Sequence, residues 1–409
     1  MGLSIYDDIP NYSTWSQNYI RRYKESNVFD EIFDKILNQA IEYNFIDMET
    51  VFGDSTHQKA NANKNKHKDV EVEIVKKVYE DSMLKEINED RIEHGKKPLK
   101  DIAKTEIMFD EETGEIIENI ETKHIKESLT DPESGCFHKG EKEKCFAYSH
   151  HTFCDKNGFV IAKKTIPGNI HDSVSFFEVY NILNEKYKGK IKNICLDAAY
   201  ATPAICREII LSGQTPLMPY KRPMTKKGFI KKHEYVYDEY YDCYICLNNE
   251  ILSYSTTDKN GYKLYKSNPD KCKNCPLKDQ CTKSKNNQKV ITRHIWEEYK
   301  EQMNGNRYTE LWHDNYPLRK ETIERTFGDC KEQHGLRFTR VRGLLKNEHN
   351  VTMIFTCHNL KRMANWKWKN THKLTYFFIF DKYKEIYIKK EVCLKTYHFV
   401  NNLKCSVLY

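Results

Sequence analysis

The chain has 409 residues, enough for two or three domains around a sizeable core. Only 39% of it is hydrophobic and mean hydropathy is −0.78, so no run approaches the ~18 apolar residues of a membrane span. No apolar stretch follows Met1 as a secretory leader would require, and the expectation is a cytoplasmic protein with no membrane partner. Net charge is +7 but unevenly spread: residues 69–133 hold 20 Asp+Glu against 10 Lys+Arg, a net of −10 that leaves +17 on the remainder. A basic body with one acidic excursion fits a protein that binds nucleic acid, although basic segments also serve only to solubilise.

In chain order, residues 13–44 read as two helices. Ser13 or Thr14 is placed to cap the first, and Val28, Ile32, Phe33, Ile36, Leu37 and Ile41 form the apolar stripe of the second. TVFGDSTH, residues 50–57, is a short apolar run that stops on Asp54, followed by the cationic KANANKNKHK. A carboxylate where a buried strand emerges is held rigidly with one side open, which suits a metal ligand; an Asp after Gly is also a common turn former. Residues 69–133 read as a charged helical excursion, broken at Gly95 and Pro98 and turning at residues 110–114.

Residues 130–169 read as sheet, with two aromatic and β-branched runs joined by the hairpin signal Asp155-Lys156-Asn157-Gly158. Asp172 and Ser173 offer a cap to the next helix. IKNICLDAAY is a buried strand ending on Asp197, Thr202-Pro203 opens a helix that stops at Gly213, and residues 215–220 give another short strand. The order predicts an α/β layer with a mixed sheet.

Of the 14 cysteines, five lie between Cys243 and Cys281, and the others show no pairing logic of a secreted disulfide framework. Cys243-x2-Cys246 and Cys272-x2-Cys275, with Cys281 after them, match the paired knuckles of a structural Zn²⁺ site. Which four bind is open at this point, and His294 is a weaker candidate. Reduced free thiols and an iron–sulfur cluster are the other readings.

Residues 315–343, NYPLRKETIERTFGDCKEQHGLRFTRVRG, read as a helix with Ile323, Phe327 and Cys330 on its apolar face, leaving through Gly335 into Arg337, Arg340 and Arg342. Glu324 stands at the edge of that face and Lys331, seven residues on, shares its side. Charges at this spacing often mark only a solvated face, but a carboxylate beside a strip of arginines also suits phosphodiester chemistry, the acid holding a cation and the arginines the polyanion. Glu321 and Asp329 on the same helix, and Asp131 and Asp172 near the hairpin, are rival acids. The terminal run 377–409 alternates well enough for a hairpin and also carries Lys, Tyr and Phe that could grip nucleic acid.

Three acids, two at strand ends and one on a helix, with a cysteine insert before the last, resemble the DDE transposases of bacterial insertion sequences, in the branch with a Cys-rich insert. The motifs are FGDSTHQKANANK, DPESGCFHKG, PGNIHDS, LDAAY, CKNCPLKDQC and ETIERTFGDCKEQHGLR, spread from about residue 6 to residue 366. The resemblance implies an RNase H-like mixed sheet flanked by helices, with Asp54, Asp197 and Glu324 as ligands of catalytic Mg²⁺ or Mn²⁺. The hard oxygen donors keep that metal separate from Zn²⁺ on Cys246, Cys272, Cys275 and Cys281, with Cys243 as alternate. Lys331, Arg337, Arg340 and Arg342 would contact double-stranded DNA, at element ends and target, and the enzyme would act as a homodimer.

The expected division is an N-terminal helical segment forming part of a DNA-binding domain (1–48), the catalytic core (49–68 and 130–235) with a charged helical insertion (69–129), a Cys-rich insert (236–295), the catalytic helix region (296–365) and a basic tail (366–409). Such transposases usually carry a further helical domain ahead of the point where this chain starts, so the expectation is an N-terminally truncated copy. The expected activity is cleavage at an element end and transfer of the freed 3′-hydroxyl strand. A DNA-binding relic that does not cut, and a nuclease that cuts without joining, are the alternatives.

Overall fold

The computed structural model describes residues 11–73, 79–99, 107–109, 116–118, 122–139 and 143–370. Two helices, α1 (Tyr12–Asn18) and α2 (Val28–Glu42), precede β1 (Thr50–Lys59). Asn11, rather than Ser13 or Thr14, caps α1 by accepting from the Ser13 N–H at 3.1 Å. The apolar stripe of α2 buries Phe33, Leu37 and Ala40, while Ile32 stays 39% exposed because the helix docks along a narrower line than its sequence offers.

The excursion that follows is not the helical arm its charge suggested. It forms β2 (His67–Glu73), α3 (Glu80–Glu93), β3 (Ile107–Phe109), β4 (Ile116–Glu118) and β5 (Thr122–Ser128), with β2 pairing β5 and β3 pairing β4. Cross-strand pairs such as Lys68 with Glu127, 3.0 Å apart, let alternating charges support a ladder where helix propensity alone would favour a helix. Gly95 does end α3, at φ 66°. The expected turn at 110–114 and the terminal hairpin at 377–409 lie outside the described residues.

The main sheet adds β6 (Gly135–Lys139), β7 (Glu143–Asp155), β8 (Val160–Pro167), β9 (Asn193–Cys195) and β10 (Thr215–Leu217), with α4 (Asp172–Tyr187) before β9 and α5 (Pro203–Leu211) before β10. Its order is β10-β9-β1-β7, after which the long β7 pairs both β6 and β8. β1 runs antiparallel to β7 and parallel to β9, and β10 is parallel to β9. The fold is therefore α/β with a mixed sheet. Asp155 accepts N–H bonds from Phe159 at 2.7 Å and Asp47 at 2.9 Å, which closes the β7–β8 hairpin. Thr202 caps α5 with Pro203 in its first turn, as the sequence predicts. At α4 the cap is His171, whose ring accepts from the Ser173 N–H; Asp172 is the first helical residue and its carboxylate is turned elsewhere.

A second sheet, β11 (Val236–Asp238), β12 (Cys243–Ile245), β13 (Ile251–Thr257), β14 (Tyr262–Ser267) and β15 (Val290–His294), is antiparallel throughout and has its own small core of Tyr235, Tyr244, Leu252, Tyr265 and Ile291. Two short helices, α6 (Pro269–Lys273) and α7 (Lys278–Cys281), sit between β14 and β15. α3 joins the two sheets: Met83 and Ile87 enter the main core, while Asp90 accepts from Thr257 at 2.5 Å and pairs with Lys263 at 2.6 Å. The acidic excursion is thus a brace, and its charges are partly spent on that joint.

The chain returns through α8 (Glu297–Asn306), α9 (Glu310–Asn315), a 3-10 turn Tyr316–Lys320, α10 (Ile323–Gln333) and α11 (Leu344–Asn370). The face of α10 that turns inward is Ile323, Thr326, Phe327 and Cys330, as its spacing predicts. Among the described residues, no helix is long and apolar enough to cross a membrane.

Candidate active site

The parallel strands β1, β9 and β10 end on one edge of the main sheet, and the candidate acids collect there. Asp54 does not end its strand: β1 continues to Lys59 because β7 pairs it as far as Lys59. The parallel partner β9, however, pairs only Thr50, Val51 and Phe52, so Asp54 lies just past the point where one flank of β1 opens. Gly53 precedes it for a steric reason. A Cβ there would lie 2.5 Å from Leu196 Cδ2 and 2.6 Å from Phe153 Cε1, so only glycine lets β1 close on its neighbours beside the acid.

Asp197 follows β9 by two residues, its Oδ1 accepting from the Ala199 N–H at 2.7 Å, which orients the carboxylate on its turn. Glu324 sits in the first turn of α10 and is half-exposed. Between these elements stands Arg319, buried at 8% exposure in the 3-10 turn. Its Nη2 donates to Asp54 Oδ2 and its Nη1 to Glu324 Oε1, the latter at 3.1 Å. Burial pushes the Asp54 carboxyl up to about 6; Arg319 and the Ser55 N–H oppose this, and the charges of Asp197 and Asp172 add to it. Tyr316, stacked on Trp312 at 4.8 Å, is raised by burial and feels the charges of Arg319, Asp197 and Glu324, so it borders the same space.

Behind Asp54 lies a second polar group. Ser55 Oγ donates to Asp172 Oδ1 at 2.8 Å, His151 Nε2 lies 3.6 Å from the same oxygen, and the Tyr200 hydroxyl reaches His151 Nδ1 at 3.4 Å. Burial holds His151 down at about 4. Sequence reasoning weighed Asp172 only as a rival acid and did not single out Arg319, His151 or Tyr200. Arg319 lies five residues before Glu324, outside any helical face that would have tied them together.

Lys331 is in the last turn of α10, and its charge adds slightly to the burial that lowers His150. Past Gly335 the chain lies beside the end of β1: the Lys59 N–H donates to the Arg337 carbonyl at 3.2 Å and the Thr339 N–H to the Lys59 carbonyl at 2.9 Å. Arg337, Arg340 and Arg342 are exposed there. Arg337 pairs with Glu332, and Arg342 Nε donates to the Asn61 carbonyl at 3.1 Å.

In the second sheet, Cys246, Cys272, Cys275 and Cys281 line one pocket, and Cys243 does not. Cys243 is buried in β12, opposite Asp238 and Ser253. Cys281 Sγ is 3.2 Å from the Tyr235 hydroxyl, Cys272 Sγ donates to Ser267 Oγ at 3.2 Å, and Cys246 Sγ accepts from the Glu250 N–H at 3.4 Å. His294 is elsewhere, accepting from the Trp296 N–H at 3.1 Å. Among the described residues, no three His, Cys, Asp or Glu side chains close into a ready-made metal-binding group, either here or around Asp54.

Residues 245–364 match the family model of a transposase DDE domain. That match supports a DDE-type transposase. The matched span takes in the cysteine pocket, Arg319, Glu324 and the arginine strip, whereas Asp54 and Asp197 come from strands outside it. No curated protein and no solved structure matches the chain significantly.

Proposed function

We propose that the protein cuts DNA at the end of a mobile element and joins the freed strand to target DNA, using Asp54, Asp197 and Glu324 as the catalytic carboxylates. The observation that carries this is Arg319: its guanidinium is a cation already held between Asp54 and Glu324. A donor set that grips a buried cation, with Asp197 adding its charge from the next strand, fits divalent metal. Bound there, Mg²⁺ or Mn²⁺ would supply Lewis acidity at the attacking and leaving oxygens.

The protein's own groups then have separable tasks. Asp54 is fixed by its strand, Asp197 by the turn just after β9, and Glu324 by a helix whose inner face is locked in the core, so each carboxylate is held with little freedom to drift. With a metal ion held by those carboxylates, Arg319 would be released from them and available to pair with a DNA phosphate. In the first step a water oxygen attacks phosphorus, the bond from phosphorus to the 3′-oxygen breaks, and that oxygen leaves as a hydroxyl. In the second, this 3′-hydroxyl attacks a target phosphodiester, forms a new ester and releases the target's own 3′-hydroxyl, with Arg337, Arg340 and Arg342 available to hold the duplex.

Three further readings belong to this proposal. The strand order β8-β7-β1-β9-β10, with β7 alone antiparallel to β1, supports an RNase H-like core. The four cysteines on one pocket support a structural Zn²⁺ site of Cys246, Cys272, Cys275 and Cys281, with Cys243 left out. The extent of the second sheet, from Val236 to His294, supports a Cys-rich insert over 236–295.

The deciding experiment is cleavage of a labelled duplex carrying the element end, with Mg²⁺ or Mn²⁺, by the wild type and Glu324→Gln. Metal-dependent nicking lost in the variant is expected. Binding without cutting by the wild type would instead support the relic reading, and cutting retained by the variant would remove Glu324 from the site.

A further inference from the structure

A second strongly cationic surface lies away from the arginine strip. Residues 221–232, KRPMTKKGFIKK, carry six Lys+Arg and no acid, and residues 271–289 carry six lysines against the single acid Asp279. Folding brings the two segments together. The Ile230 N–H donates to the Gln280 carbonyl at 2.9 Å, Lys283 Nζ stands 5.5 Å over the Phe229 ring, and Lys226, Phe229, Lys283 and Lys289 line one groove. Lys271 is paired with Glu250 at 2.7 Å, but residues 221–228 are all exposed, as are Lys273, Lys283 and Lys285.

The position of this face is as informative as its charge. β10 is parallel to β9, with Leu217 beside Cys195, so the chain leaves β10 on the same sheet edge as Asp54 and Asp197. Residues 218–220 are held beneath the segment that carries the site: Trp312 Nε1 donates to the Met218 carbonyl at 3.3 Å, and the Arg307 guanidinium lies 4.7 Å over the Tyr220 ring. The basic run therefore starts at the catalytic edge and ends on the cysteine knuckles. Eight extended residues reach at most about 28 Å, so cations follow one another from the acids outward.

We propose that residues 221–232 and 271–289 form a second DNA-binding surface, a phosphate track that holds the duplex outside the cleavage site, with the cysteine pocket as the anchor that keeps the track in place. This rests on the reading of the protein as a DNA-cutting enzyme but concerns where the duplex lies. A protein partner would need buried apolar anchors at the centre of its footprint. Here the exposed side chains are mostly cationic or uncharged polar, with Asp279 the single acid and Met224 and Val290 the exposed large apolar ones, and a sequence-independent polyanion is the matching partner.

The test separates binding from cutting by using Glu324→Gln full-length protein throughout. Affinity for an unrelated duplex is measured as a function of KCl for that protein and for the same protein with Lys226→Gln, Lys227→Gln, Lys283→Gln and Lys285→Gln. Each phosphate contact contributes a slope of about −0.9 in log K against log salt, so the quadruple variant is expected to flatten the slope by about 3 to 4. The pair Lys283→Gln and Lys285→Gln alone should flatten it by about half as much. Lys188→Gln with Lys190→Gln, between α4 and β9 at the opposite sheet edge, serves as control and should leave the slope unchanged. An unchanged slope in the quadruple variant, with its unfolding curve intact, overturns the proposal. So does a quadruple variant that loses binding to polyglutamate while keeping the duplex slope, since that would mark an acidic protein partner. Failure of Glu324 as a catalytic residue would show in cleavage by this background and leave the binding slopes unaffected.

Discussion

Arg319→Met tests most directly how the acids are held. In wild type the guanidinium joins a side chain 9% exposed to the Asp54 carboxylate, 20% exposed, and to Glu324, 48% exposed. Removing one partner of a buried pair costs about 3–5 kcal/mol when the other charge is stranded. Asp54 can escape part of that by taking up a proton, since its carboxyl is already up at about 6, and the Glu324 contact is solvent-screened and worth at most about 1 kcal/mol. The expected loss for the metal-free protein at neutral pH is therefore about 2–3 kcal/mol. Methionine keeps most of the stem's packing, so the loss reports charge rather than a cavity. In saturating Mn²⁺ the deficit should shrink, because the ion offsets the stranded carboxylates and stabilises the variant in proportion to its occupancy. The assay is urea unfolding in EDTA and in Mn²⁺, followed by tryptophan fluorescence. A variant as stable as wild type in EDTA, or a deficit that Mn²⁺ leaves untouched, would refute the idea that Arg319 occupies a cation position shared with metal.

Three other outcomes are expected. Burial holds His150 at about 3, and His151, His294 and His358 at about 4, all below the ordinary 6.5. Their contribution to stability is complete above pH 6.5 and is lost as pH falls toward 4, by up to about 1.4 kcal/mol per pH unit for each group; His150→Gln should give a shallower acid limb in chemical unfolding than wild type, and an identical limb would count against the assignment. Zinc content measured on purified protein should fall in Cys275→Ser and stay unchanged in Cys243→Ser, because Cys275 lines the shared pocket and Cys243 does not; equal loss in both would reinstate Cys243 as a ligand. Gly53→Ala should cost about 1–3 kcal/mol and reduce cleavage more than DNA binding, since its Cβ would press on Leu196 and Phe153 beside the acids.

The residue pattern alone determined much of this protein. The inner face of α10, the Thr202 cap with Pro203 and the Asp155–Gly158 hairpin all follow from interactions within a few residues, which periodicity and turn chemistry report directly. The clustering of cysteines was equally local, but the exclusion of Cys243 was not: it depends on which side of β12 faces the two short helices, and a three-residue strand has no period long enough to show it. The strands within 69–133 leave no such trace, because charge spacing cannot distinguish a solvated helix from a ladder of opposite charges until the partner strand is known.

Tertiary structure alone decided the site's interior. Arg319 meets Asp54 across 265 positions of sequence, and Ser55 meets Asp172 across 117. Contacts of that range leave no periodic trace, because their geometry is set by the order of strands in the sheet rather than by the pitch of any one element. Sequence motifs could therefore nominate the carboxylates, but only the folded sheet could show which cation stands between them.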